Sequence, residues 1–193
     1  MGRPGHCREH ILDAGIKVLS AKGYNGTGVK EIVDEAGVPK GSFYNHFESK
    51  EAFVIEAIEK LAKESISDSR AILEDSSKSP KQRLFDFFDG AHQHMKAESF
   101  NGGCLVGNIC LEMADEAPNI RESVNQIMGR YVGLIANCLD DAKKQGELKQ
   151  DVDTNQLAEF IHCAWEGTIM RMKGCRECAP FMAFRSQLEK FFI

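Results

Sequence analysis

The chain has 193 residues, a formal net charge of −5 and 42% hydrophobic residues, enough apolar material for a packed core. No apolar run approaches the roughly 20 residues of a membrane span, and the segment from Met1 to His6 lacks the apolar stretch of a secretion signal. We therefore expect a cytoplasmic protein, in which the seven cysteines, an odd number without a regular framework, argue against structural disulfides.

The first predicted helix runs from about His6 to Lys22, where apolar residues recur at helical spacing, and ends before Gly23. Thr27 suits the N-cap of the next helix, since its hydroxyl can accept a hydrogen bond from an exposed backbone N–H. That second helix should stop at Gly37, because glycine adopts a left-handed backbone at little cost.

A very short third helix follows near Lys40, so that two short helices are joined by a tight glycine turn. This arrangement is a helix-turn-helix, whose second helix enters the major groove of DNA by its N-terminal end. Lys40, Gly41 and Ser42 are therefore the predicted base-reading residues. Phe43 and Phe47 are expected to pack inward.

This part of the sequence resembles the tetracycline-repressor (TetR) family. The resemblance rests on Gly23-Tyr24, Thr27, Ile32, Ala36-Gly37-Val38, Lys40-Gly41-Ser42-Phe43-Tyr44, His46-Phe47 and Ser49-Lys50-Glu51. It implies an all-α homodimer with about nine helices. The N-terminal three-helix head, residues 1–50, would bind DNA, and the C-terminal helical-bundle body, residues 51–193, would bind an inducer and dimerise.

The family's pattern also implies which further side chains contact DNA. Tyr44 and His46 would face the phosphate backbone, and Thr27 and Lys50 would contact phosphates on either side. The alternative for Tyr44 and His46 is that they only cover the head's core, with their polar tips outward. Arg3 lies in a Gly-Arg-Pro arm that could reach a minor groove, as homeodomain arms do, or could be disordered.

Charge is divided unevenly between these two parts. Residues 1–50 contain seven Lys or Arg and six Asp or Glu, which leaves 17 against 23 in residues 51–193, so the head is +1 and the body −6. An acidic body weakens non-specific attraction to DNA, and affinity should rest on a few placed phosphate contacts. The pattern favours a sequence-specific binder over a protein that coats DNA.

The remaining helices are predicted from caps and breakers. Ser49 would cap a long fourth helix from Lys50, and Ser79 with Pro80 would open a fifth that ends before Gly102. The others are a short helix from Cys104 to about Glu116, a long one from Pro118 to Gly146, one capped by Asp153 that reaches Gly174, and a last one from Pro180 to the chain end.

The resemblance places the dimer contact in the last two long helices, which pair with their copies in a four-helix bundle. The apolar stripe from Leu157 to Met172, with the phenylalanines of the last helix, is the predicted surface. Dimerisation would place two heads about one DNA turn apart, or a multiple of it, and so predicts a near-palindromic operator.

The segment from Phe100 to Asn108 resembles a Gly-Cys-Leu-x-Gly-Asn stretch in one branch of the family, as does Trp165-Glu-Gly167 further on. Some regulators of that branch respond to electrophiles through a cysteine here, which implies a sensor role for Cys104. A thiol at a helix N-terminus ionises more readily, because the helix dipole favours the thiolate. The alternative is that Cys104 is a small, inert core residue.

An inducer site in such a bundle should be mostly apolar with a few polar side chains. The candidates to line it are Phe88, His92, Met95, Cys104, Asn108, Tyr131, Trp165 and Met170. Taken singly, each is more typical of ordinary core than of a ligand site, but as a group they predict an apolar or aromatic inducer. No cofactor or metal is expected, since Cys175-x-x-Cys178 supplies only one pair of the four ligands that structural zinc needs.

Together these features predict a transcriptional repressor whose dimer holds an operator. A ligand or a thiol adduct in the body would favour a conformation that no longer fits the DNA, and release would follow. Two alternatives stay open. One is an all-helical thiol enzyme using Cys104, which lacks an identifiable base, and the other is a repressor that responds only to non-covalent ligands.

Overall fold

A computed structural model describes residues 4–193, with side chains from Cys7 onward. Over this range the chain forms nine α-helices and no strand. They are α1 (Pro4–Lys22), α2 (Val29–Glu35), α3 (Lys40–Tyr44), α4 (Lys50–Leu73), α5 (Pro80–Ala97), α6 (Leu105–Met113), α7 (Pro118–Lys144), α8 (Thr154–Cys175) and α9 (Ala179–Glu189). None of these described helices is long and apolar enough to cross a membrane.

Local capping chemistry sets most of the helix ends. The hydroxyls of Ser49 and Ser79 accept backbone N–H groups at 3.0 and 3.3 Å, and the Asp153 carboxylate accepts two at 3.0 and 3.1 Å. Gly37 and Gly146, after α2 and α7, have φ of 62° and 77°, in the left-handed region that favours glycine. These predicted starts and stops are confirmed.

The predicted N-cap at Thr27 is wrong, because α2 begins at Val29 and its N-cap is Gly28. The Glu31 carboxylate accepts the Gly28 N–H at 2.8 Å and so replaces the missing side-chain cap. The Thr27 hydroxyl instead donates to the Gly23 carbonyl oxygen at 2.6 Å, and the residue is only 1% exposed. It closes the end of α1 rather than opening α2.

Three other helix ends differ from the sequence prediction. Helix α6 is shorter than residues 104–116, so that Cys104 precedes the helix instead of opening it. Helix α8 continues through Gly174 to Cys175 and ends on Arg176, whose φ of 57° is left-handed. Helix α9 ends at Glu189, before the chain does.

The chain packs as two compact units, and α4 and α7 contribute residues to both. Unit one comprises residues 1–64 and 105–127, and unit two comprises residues 65–104 and 128–193. This packing division does not coincide with the functional boundary expected at residue 50, which stays a prediction.

In unit one, α1 packs on α2 and α2 on α3. Three phenylalanine rings fill the space beneath α3: Phe53 has ring centroids 5.3 Å from Phe43 and 4.9 Å from Phe47. All three side chains are buried, which confirms the inward packing expected of Phe43 and Phe47. Burial of this cluster holds α3 with its remaining side chains outward.

In unit two, α8 packs on α9, and aromatic rings fill the core between them and α5. Trp165 has ring centroids 5.1 Å from Phe88 and 5.5 Å from Phe184. The stripe predicted to form the dimer surface belongs to this core, since Leu157 is 8% and Met172 0% exposed within the single chain. That assignment is wrong, because the most continuous apolar stripe of α8 faces its own chain.

Candidate functional site

Helix α3 presents its N-terminal end outward. Lys40 and Gly41 are exposed, Ser42 is half-exposed, and Tyr44 keeps 55% of its surface open while the neighbouring Phe43 is buried. A Cβ placed on Gly41 would meet no described atom within 4 Å, so the backbone is open to an approaching ligand at this point. His46 is half-buried, with its ring edge towards Phe47.

Two residues predicted to contact phosphate are engaged inside the head. Lys50 donates to the Tyr24 carbonyl oxygen at 2.6 Å, and its ammonium lies 4.0 Å from the centre of the Tyr24 ring. Burial lowers the pKa of Lys50, and the nearby carboxylates of Glu112 and Glu31 oppose that shift. The Thr27 side chain is buried as described above. Arg3, the residue predicted to reach a minor groove, lies outside the described residues.

Ion pairs neutralise other cations of unit one. Arg8 pairs with Glu56, and Lys22 pairs with Glu31. The hydrogen bond from Lys22, with that from the Gly28 N–H, lowers the pKa of Glu31. The Arg8 and Lys22 side chains are therefore already paired with carboxylates within unit one.

Helix α6 is tied to the connection between α1 and α2 by one carboxylate. Glu112 accepts the backbone N–H of Tyr24 at 3.2 Å and that of Asn25 at 2.8 Å. Gly23, with φ of 70°, lets the carboxylate approach, since a Cβ there would lie 2.1 Å from a Glu112 oxygen. All four residues belong to unit one. Nothing in the local sequence around Glu112 indicates this contact, because its partners lie almost 90 residues away.

The loop before α6 lies along one face of α8. Arg176 donates to the Ser99 carbonyl oxygen at 2.9 Å and to the Asn101 side-chain oxygen at 2.7 Å. Further along, a Cβ on Gly103 would lie 3.3 Å from Ile169 and 3.7 Å from Lys173. Ser99, Phe100, Gly102 and Gly103 all have positive φ, between 53° and 82°.

Cys104, the next residue, reaches the same face of α8 one turn earlier. Its thiol donates a hydrogen bond to the carboxyl of Glu166, which stands three positions before Ile169. Burial raises the pKa of Glu166, and the hydrogen bond from Cys104 and the proximity of His162 oppose the rise. The loop thus brings a half-buried thiol against a carboxyl group that holds its proton more tightly than usual.

Tyr131 extends this group of polar side chains. Its ring stacks on the His162 ring with centroids 6.3 Å apart and planes inclined by 20°. Burial raises the pKa of Tyr131, and a hydrogen bond with Ser65 opposes that rise. Proximity to Cys104 and Glu166 raises the pKa further, and Arg130 lowers it. We call Cys104, Tyr131, His162 and Glu166 the thiol cluster.

The structure brings some of the predicted inducer-site residues together and separates others. Phe88, Met95 and Trp165 are buried in the core of unit two, and His92 stacks on Phe181 with ring centroids 3.9 Å apart. The buried Nε2 of His92 has no hydrogen-bond partner within the described residues, and burial lowers its pKa.

Met170 does not join them. Met170 is 60% exposed, so its placement in an internal site is wrong. Asn108 lies on α6 in unit one. Of the eight candidates, Cys104 and Tyr131 lie in the thiol cluster, and its other members, His162 and Glu166, were missed.

An apolar groove of about 680 Å³ runs between α8 and α9 on the surface of unit two. Its wall includes Phe160, 58% exposed, Met170, 60% exposed, and Phe191, 36% exposed. Small residues, Ala164 and Gly167, line it between them. We call this the apolar face; Phe160 and Met170 lie beside the core stripe on α8, and Phe191 follows the end of α9.

No group of three or more His, Cys, Asp or Glu able to hold a metal occurs among residues whose side chains are described. Cys175 and Cys178 are both half-exposed free thiols.

Comparison with known proteins matches both parts of the chain. Residues 11–57 match the family of bacterial regulatory proteins named tetR, and residues 80–188 match a tetracyclin repressor-like C-terminal domain. The second match alone spans more than half of the chain.

Individual relatives cover almost its whole length. The HTH-type transcriptional repressor DhaR of Mycobacterium sp. strain GP1 is 33% identical over 92% of this chain and 87% of its own. The transcriptional regulator AcuR of Cereibacter sphaeroides is 32% identical over 96% and 84%. A crystal structure of a regulatory protein TetR from Rhodobacter sphaeroides superposes with a TM-score of 0.89 and 32% identity, over 96% of this chain and 98% of that one.

Proposed function

The chain belongs to the TetR family of bacterial transcriptional regulators, and we propose that it is a repressor released from a near-palindromic operator by a small inducer. It is a ligand-responsive DNA-binding regulator and not an enzyme, so the thiol-enzyme alternative is not supported. We place its action in the cytoplasm, where bacterial operators are. The inducer we propose is apolar, aromatic or electrophilic, and it binds in the body.

The exposed N-terminal end of α3 is the observation that carries this proposal. Lys40, Gly41 and Ser42 are proposed to read bases, and Tyr44 and His46 to contact phosphates, because their surfaces are open above a buried phenylalanine cluster. The Thr27 hydroxyl and the Lys50 ammonium already have partners inside the head. We therefore assign neither of them a direct contact.

The apolar face supports a dimer through α8 and α9. A groove lined by Phe160, Met170 and Phe191 is an unusual surface for a monomer, and its small residues would let two helices approach closely. A second copy of this chain is the partner that the family's usual dimer supplies. We propose this face in place of the core stripe.

The thiol cluster supports an inducer that reacts with Cys104. The relatives include the HTH-type transcriptional repressor NemR of Escherichia coli, 24% identical over 90% of this chain. The physical support is local, since the half-buried Cys104 thiol faces the Glu166 carboxyl group, which in turn lies near the His162 imidazole. A purely non-covalent inducer is the competing proposal, and Cys104→Ser separates the two: unchanged induction would exclude the thiol.

Selection of bound sequences from a random duplex DNA pool tests the DNA-binding proposal. The reduced, full-length protein is incubated with the pool at moderate salt, and the retained DNA is sequenced. We expect a palindromic motif with half-sites about one turn apart. Absence of any enriched sequence would contradict the proposal.

Two substitutions in α3 should act differently on that selected operator. Tyr44→Ala should weaken binding by a similar factor on all sequences, because a phosphate contact carries no base information. Ser42→Ala should change the preferred base at particular positions, by about 1–3 kcal/mol per mismatched pair. Repeating the selection with each variant measures this. Equal losses from Ser42→Ala on every sequence would refute its base-reading role.

Removing the Glu112 carboxylate should loosen the connection between α1 and α2. In Glu112→Ala, the Tyr24 and Asn25 amides lose their acceptor, and their hydrogen exchange should accelerate about tenfold or more, since a hydrogen bond to a charged group contributes about 1.5–3 kcal/mol. The Gly23 amide is an internal control, because it donates to Leu19 within α1. If all three amides accelerate alike, the effect is general unfolding and not loss of this contact.

A further inference from the structure

The partner of the Cys104 thiol is a carboxyl group and not a cation. Three independent features hold the pair together: the Arg176 hydrogen bonds to Ser99 and Asn101, the close approach of Gly103 to Ile169, and the thiol's own hydrogen bond to Glu166. Residues 166, 169 and 173 are spaced by three and four positions, so they share one face of α8, and Arg176 is the C-cap just beyond the end of that helix. The contact between Cys104 and Glu166 therefore depends on the packing of the whole loop from Ser99 to Gly103 against α8.

A carboxylate beside a thiol usually opposes its ionisation, because a second negative charge would be buried next to the first. That cost disappears if the proton moves from sulfur to the carboxylate, since the pair then keeps one negative charge throughout. Burial raises the pKa of Glu166, which makes its oxygen a better acceptor for that proton.

We propose that Glu166 is the proton acceptor for Cys104 when an α,β-unsaturated carbonyl compound adds to the thiol. The inference rests on the proposed function, in which an electrophile acts as inducer. Glu166 belongs to the Trp165-Glu-Gly167 stretch, for which the sequence pattern predicted no chemical role.

The reaction balances without an oxidant or a leaving group. Sulfur attacks the β-carbon, so that the S–C bond forms while the S–H bond breaks and its proton passes to the Glu166 carboxylate. The electron pair of the C=C bond moves onto the α-carbon and carbonyl as an enolate. Glu166 then returns the proton to the α-carbon, which regenerates the carboxylate and leaves a thioether.

Alkylation by methyl vinyl ketone, a neutral enone, tests this role on the full-length protein. Peptide mass spectrometry measures adduct formation at each cysteine from about pH 6 to about pH 9. Glu166→Gln should slow modification of Cys104 by about tenfold or more near neutral pH, because the thiol proton must then leave for water. The rate of Cys104 alkylation should also rise more steeply with pH in Glu166→Gln than in the protein that retains Glu166.

The chain contains its own matched control. Cys163, on the same helix but exposed, has its sulfur 3.8 Å from an oxygen of Glu159. Glu166→Gln should not slow modification of Cys163, since the Glu166 charge raises the pKa of that thiol and its removal can only favour the thiolate. Glu159→Gln should leave modification of Cys104 unchanged. Glu166→Asp, which keeps the carboxylate on a shorter side chain, should give an intermediate Cys104 rate and guards against a folding defect in the glutamine variant.

An unchanged or faster Cys104 rate in Glu166→Gln would overturn the proposal, since Glu166 would then only repel the thiolate. The remaining charged or titratable groups around the cluster, His162, Tyr131, Arg130 and Lys173, are retained in every variant, so their contribution to the pH profile is common to all.

Operator release is measured in parallel. Glu166-dependent alkylation without release would refute the electrophile-induced repressor while leaving the proton-acceptor role intact.

Discussion

Placing two charges in the apolar face, by Phe160→Asp with Met170→Asp, should convert the protein to a monomer and weaken operator binding by about a hundredfold or more. Both side chains are more than half exposed in the single chain, so the substitution leaves the core of unit two intact. In a dimer, however, unpaired carboxylates would be buried in an apolar contact, which costs several kcal/mol. The linked second head, which raises avidity about 10² to 10⁴-fold, would be lost with it.

Sedimentation velocity and operator titration measure the two effects together. Leu111→Asp is the matched control, because Leu111 is 82% exposed on α6 in unit one and does not line the apolar face, so the change should alter neither quantity. A variant that remains dimeric with unchanged affinity would place the dimer contact elsewhere on the chain.

Gly15→Ala should destabilise unit one by about 1–3 kcal/mol, the usual cost of overpacking, and operator affinity should fall with it. A new Cβ on Gly15 would lie 2.1 Å from Cζ of Phe53 and 3.2 Å from Ile32. Phe53 is held between Phe43 and Phe47 and cannot retreat without disturbing the packing beneath α3. The result reverses the ordinary gain of about 0.5–1 kcal/mol when glycine is replaced by alanine within a helix.

Denaturant unfolding followed by circular dichroism, with operator titration alongside, measures this effect. Gly90→Ala provides the contrast: it is exposed in α5, a Cβ there meets no described atom within 4 Å, and the change should stabilise. Adding Phe53→Leu to Gly15→Ala should recover part of the loss by making room. Equal stabilisation by the two alanine substitutions would show that the head can absorb the extra methyl group.

The helices themselves were largely predictable because their ends depend on neighbouring residues. Ser49, Ser79 and Asp153 cap backbone groups two or three positions away, and Gly37 and Gly146 adopt the backbone that stops a helix. Thr27 misled the same reasoning because it precedes the actual N-cap of α2, Gly28, by one residue. It bonds to the end of α1, four residues back, and the Glu31 carboxylate caps α2 instead.

The site was less predictable because its pairings are distant in sequence. Glu112 meets Tyr24, and Cys104 meets Glu166, across separations that no periodicity records. Periodicity was also ambiguous on α8, which is apolar on two sides. The continuous stripe through Ile161 and Met172 is core, and the shorter set through Phe160 and Met170 is exposed, a distinction that depends on tertiary packing.

The loop from Ser99 to Gly103 also has a strained backbone. Ser99 and Phe100 carry side chains, yet their φ values are 53° and 58°, a conformation that costs an ordinary residue about 1–2 kcal/mol. The combined free-energy cost of these two conformations is comparable to the coupling free energy between an effector site and a second site, which is typically about 1–3 kcal/mol. The two hydrogen bonds from Arg176 keep the loop in this state. An adduct on Cys104 that displaced the loop would let this backbone relax, so the switched state would be favoured by strain already present before the inducer arrives.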